Sequence, residues 1–200
     1  MTSSWHGRMM SATPEILASA TYFAAWFAPA SLPPGMPKSL VLGMLVEFLV
    51  VHSGGFLAAW MEHDGKRPRK ALPGLLLLAA VYMLFAGAFG LAFKSWAPVW
   101  IMGWLIGSRV LTVLVDRRER EDEIDRQRAL WGASAVLYLL LAFACTLLPL
   151  PRLGIDEAAR AAMDLPGSGA WIDDPHRPLA MGAFYFGLLA WIELRGTKSA

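Results

Sequence analysis

The sequence predicts an all-α membrane protein: a single transmembrane domain over residues 1–200, built as a polytopic bundle of about six helices with both termini cytoplasmic. Three observations carry that prediction. Of the 200 residues, 17% are charged and 56% hydrophobic, whereas a soluble domain carries about 25% charged residues. The charges are clustered, which leaves long uncharged blocks between them. Lys and Arg also concentrate in alternate loops, the asymmetry that orients membrane helices.

A hydrocarbon core needs roughly 20 apolar residues at about 1.5 Å each. Segments 15–32, 39–61, 72–93, 97–115, 129–149 and 178–194 approach or meet that length. The first and last are short, and the first contains Pro29 and ends in Pro33-Pro34-Gly35. It has a competing reading as a signal peptide, with 16–27 as the apolar region and Ala28-Pro29-Ala30 as an A-x-A cleavage site. Glu15 abuts the apolar run and Arg8 is the one fixed positive charge before it, so a retained span is the reading taken.

Orientation follows from the loops. Loop 62–70 carries Lys66, Arg67, Arg69 and Lys70, and loop 116–128 carries Arg117, Arg118, Arg120, Arg126 and Arg128. Placing both in the cytoplasm brings Arg8, Arg195 and Lys198 to the same side and leaves Lys38, Lys94, Arg152, Arg160 and Arg177 outside. The net charge of +2 is therefore read as topology. It has no basic face or aromatic-basic module of the kind that binds nucleic acid. The expected surroundings are a lipid bilayer, that of a cell inner or plasma membrane.

Two pieces lie outside the spans. In 116–128, Arg118, Asp122 and Arg126 follow at i,i+4 spacing, which suits a helical hairpin projecting into the cytoplasm. It is a solvated connector first and a partner-docking surface second. The external stretch 149–178 is the longest loop; within it 155–163 reads as a short helix, with Trp171 as a headgroup-level anchor. Trp60, Trp96, Trp131, Trp171 and Trp191 fall near span ends, while Trp26 and Trp104 lie deeper and are expected to pack.

The intramembrane ionisable residues Glu47, His52 and Arg109 form the candidate polar core, because charge at such depth faces a protein interior, a partner or a water path. Glu47 and His52 are five apart, so they point about 140° away from each other on a helix and do not make one local site. Arg109 is the likelier companion of Glu47. The second and fourth spans run the same way, and the two residues differ in depth by only about 5 Å. A structural charge pair is the first reading; a polar path in which Glu47 titrates is the second.

Small residues mark close helix contacts: Gly54 and Gly55 after His52, Gly103 and Gly107 in the fourth span, and Ala183-x-x-x-Gly187 in the last. Packing within one bundle is the plain reading, and homo-oligomerisation through Gly103 and Gly107 the alternative. His52-Ser-Gly-Gly55 is also a place where a helix can break to build a binding site, although tight packing at the glycines is favoured.

No cofactor and no metal site is expected. His52 is the one deep histidine, so a chain-internal bis-histidine haem has no second ligand. Asp173-Asp174-Pro-His176 is read as a helix start in preference to a divalent-cation site. Cys145 lies in an apolar run and reads as a small buried hydrophobe. No H-E-x-x-H, paired-Cys, P-loop or G-x-S-x-G motif is present, which argues against an enzyme. A channel or transporter-like protein is the leading expectation. The alternative is a non-catalytic membrane subunit that binds a partner through the cytoplasmic hairpin or the external loop.

Overall fold

The computed structural model describes residues 5–63, 68–94, 96, 98–100, 102–104, 106–107 and 121–195, with helix side chains at 5–8, 11, 49–50, 52–63, 68–72, 75 and 121–130 left out. Among them the chain is all-helical, with no strands. The elements are α1 (Trp5–Phe27), a 3-10 turn (Pro29–Ser31), α2 (Met36–His63), α3 (Pro68–Phe93), α4 (Glu121–Leu147), α5 (Glu157–Met163), α6 (Ala170–Asp173) and α7 (His176–Arg195). Residues 98–100, 102–104 and 106–107 are also helical.

The helix ends follow local chemistry. Pro29 ends α1, because proline supplies no N–H to continue the ladder. At the other end α1 begins at Trp5, ten residues before the predicted span, and it tolerates Pro14 within it. Asp156 caps α5 by accepting a hydrogen bond from the Ala159 N–H at 2.7 Å, one of the orphan donors of a helix start. Asp164 closes the same helix in the left-handed region, φ 43°. The backbone of α2 is helical without interruption through 52–55, so the expected alternative of a broken helix is not seen there.

Two compact units divide the chain: 1–44 with 137–200, and 45–136. The first is organised by α1 against α7. Gly182 meets the Tyr22 ring so closely that an added Cβ would lie 2.4 Å from it. The Ser19 hydroxyl donates to the Ala183 carbonyl at 2.8 Å, and a Cβ on Gly187 would lie 3.1 Å from the Ser19 oxygen. The small residues of the last span thus face α1. Aromatic contacts continue outward: Tyr22 stacks on Phe186 at 5.6 Å and Trp26 meets Phe184 edge-on at 6.0 Å. Within the same unit, Tyr22 donates to the Leu40 carbonyl of α2 and Tyr138 of α4 donates to that of Met44.

In the second unit α3 packs on the 98–107 segment through Ala79, Ala86, Met102 and Ile106. Ala86 is 0% exposed, while Leu84 is 74% and Leu91 72% exposed; Leu77, Leu84 and Leu91 form an outward heptad row. Trp104, expected to pack, is instead 81% exposed, because Met102 and Ile106 take the inward side of the same turns. Described side chains of α3 run unbroken over 76–93, about 27 Å of helix, short of a hydrocarbon core. Over the described residues no helix is long and apolar enough to cross a membrane.

Gly182→Ala should force α1 and α7 apart and lower stability by about 1–3 kcal/mol. Gly87, whose added Cβ meets open space, should accept Ala with no loss. Thermal unfolding of both variants followed by tryptophan fluorescence checks this; equal melting temperatures would refute the close-contact account.

Candidate functional site

Glu47 lies half-buried on α2. Together with Met44 and Val51 it falls on one side of the helix, at spacings of three and four residues. The Trp131 indole donates to the Val51 carbonyl, one turn beyond Glu47. On α4 the position one turn after Trp131 is half-buried Ala135. His52 is helical in backbone, with its side chain outside the described residues; Gly54 and Gly55 likewise lie within α2. Arg109 lies outside the described residues altogether, so the expected pair with Glu47 does too. Gly103 and Gly107 are helical, and a Cβ on either meets nothing within 4 Å.

Among the described residues a denser polar cluster lies elsewhere, where the 149–178 segment meets the start of α7. Asp174 is its hub. Its Oδ1 lies 3.5 Å from Arg152 and 3.9 Å from the His176 Nδ1, and its Oδ2 accepts from the Arg177 Nε at 3.3 Å. Arg177 also donates to the carbonyls of Cys145 and Thr146 at the end of α4, where unpaired carbonyls and the helix dipole favour a cation. The Arg160 guanidinium donates to the Asp173 carbonyl at 3.1 Å, and Asp173 itself accepts from the Gly169 N–H. Trp171, expected as a headgroup anchor, donates to the Thr146 hydroxyl at 3.0 Å and so serves as an internal strut.

His176 is 4% exposed. Burial holds its imidazole below the ordinary histidine range; Asp174 and the Leu150 backbone oppose that shift, while Arg177 and Arg152 reinforce it. Asp174 and His176 fit the reading of this motif as a helix start, with α7 beginning at His176. Among the described residues no three His, Cys, Asp or Glu side chains converge on a metal position.

Sequence reasoning treated Arg152 and Arg177 only as outside charges. The signal that singles out Arg177 is its i,i+3 spacing from Asp174 across Pro175. Nothing in the pattern announces its reach to α4, which depends on the packing of α7.

Comparison with family models, with curated proteins and with solved structures finds no match.

Removing the Arg177 guanidinium strips Asp174 and two α4 carbonyls of a charged donor, so Arg177→Met should cost about 2–3 kcal/mol. Arg177→Lys should recover less than half of it, since an ammonium cannot span both sets of acceptors. Chemical unfolding of the three proteins measures the difference.

Proposed function

We propose that the chain is a multi-pass integral membrane protein of channel or transporter type, with both termini cytoplasmic and Glu47 at its polar core. The observation that carries the membrane reading is the exposed leucine row on α3. Ala79 and Ala86, flanked by Tyr82, Met83 and Phe89, make its protein contacts, while Leu77, Leu84 and Leu91 point away from them. In water such a row is an aggregation hazard; in lipid it is the ordinary outward face, with close packing left to small residues. The uncharged sequence supports the same reading. It covers 71–93 within the helical backbone of α3, about 35 Å at ~1.5 Å per residue. The transport class rests on Glu47, a half-buried carboxylate in the apolar run 39–61, since ionisable groups there mark pathways and relays.

The second reading is a non-catalytic membrane subunit. It is favoured by Trp96, Trp100 and Trp104, which stand exposed at i,i+4 spacing and offer a partner a continuous aromatic ladder.

Membrane fractions expressing the protein should retain it through alkaline carbonate extraction. Leu84→Arg should reduce the retained fraction, as a central arginine opposes insertion by about 2.5–3.5 kcal/mol. Release of the unaltered protein by carbonate would sink the membrane reading. Reconstituted into ion-loaded vesicles, the wild type should pass ions or solute, and Glu47→Gln should cut flux at least about tenfold, as loss of a pathway ionisable group implies. Absence of flux in the wild type favours the subunit reading.

A further inference from the structure

The 149–178 segment is fastened to three helix ends within the first unit. Trp26 of α1 donates to the Pro151 carbonyl at 3.0 Å, and Gly154 donates back to the Trp26 carbonyl at 3.1 Å. Lys38 of α2 donates to the Asp164 carbonyl at 2.6 Å. Trp171 and Arg177 hold the end of α4. The fit is close: an added Cβ on Gly154 would lie 2.3 Å from the Phe27 carbonyl oxygen. The joint between this segment and α7 is the Asp174 cluster, and a buried histidine is set into it.

We propose that the segment is a proton-operated cap, closed while His176 is neutral and released from the outer ends of α1, α2 and α4 when His176 takes a proton. The proposal does not rest on the transport reading. Protonation adds a second N–H and a full charge at a position whose side chain is 5% exposed. The acceptor within reach is the Asp174 Oδ1, 3.9 Å away and already beside Arg152. Either the new charge stays desolvated, or it draws Asp174 from the arginines that tie the segment together. Both outcomes weaken the closed form.

The charged groups around His176 come from α7 and from the 149–178 segment. Arg177 is on α7, Asp173 and Asp174 precede it, Arg152 and Asp156 come from the stretch before α5, and Glu157 and Arg160 from α5. Burial is the largest influence on the imidazole and sets the direction. The sign follows. The closed-state imidazole binds its proton at lower pH than the released one, whose value is about 6.5, so release is favoured as pH falls below that value.

Hydrogen exchange of the full-length protein, followed by mass spectrometry and corrected for the intrinsic rate, tests the cap. Amides of 154–173 should exchange faster at pH 5 than at pH 7, by up to about tenfold per pH unit, the limit for one proton. His176→Gln keeps a neutral donor and should show equal exchange at both values. An acid response absent from the wild type, or retained in His176→Gln, overturns the proposal. Should that variant fail to fold, C2-proton exchange of His176 in the wild type reads its titration directly. A midpoint below about 6.5 supports the cap, and one at or above it refutes the cap.

Discussion

Tyr22 lies against the backbone of Gly182, where only hydrogen leaves room for its ring, and the architecture of the first unit follows from that contact. The close approach brings the Ser19 hydroxyl to the Ala183 carbonyl. It also sets the far end of Tyr22 against α2, where the hydroxyl reaches the Leu40 carbonyl. One side chain therefore couples three helices. Its neighbours Phe23 and Trp26 extend the seam to Phe184, and Trp26 begins the bonding of the 149–178 segment.

A second regularity runs along α2. Its carbonyls at Leu40, Met44 and Val51 each accept from an aromatic side chain: Tyr22, Tyr138 and Trp131. Amphipathic rings suit this task, since each buries a broad apolar body while its polar tip finds a partner. In an apolar setting such bonds fix rotation as well as contact, because rolling α2 would turn the acceptors away from their donors. Glu47 shares the Met44–Val51 side, so its azimuth is set by the same contacts.

Helix positions were readable from length and charge spacing. The segments 39–61, 72–93, 129–149 and 178–194 each fall almost wholly inside a single helix, and the short helix after Ile155 begins at Glu157 with Asp156 as its N-cap. Azimuth was far less legible. Trp104 was assigned by depth, yet which side of a turn faces inward depends on the neighbour, and Ala79 and Ala86 receive Met102 and Ile106 instead. Arg177 and Trp171 read as surface residues because their acceptors, at Cys145 and Thr146, are some 30 positions distant. For Glu47 and His52 the divergence by about 140° holds on the regular backbone of α2, while the proposed companion Arg109 lies outside the described residues.

Cys145 is the single cysteine of the sequence, and it is buried directly beneath the Arg177 clasp on its carbonyl. Thiol reagents arriving from water therefore meet no native target. A cysteine introduced at an exposed site such as Leu153 or Trp191 would carry a spin label or fluorophore alone. The natural chain is already a suitable host for distance measurements, with no background thiol to remove and no helix contact to disturb in removing it.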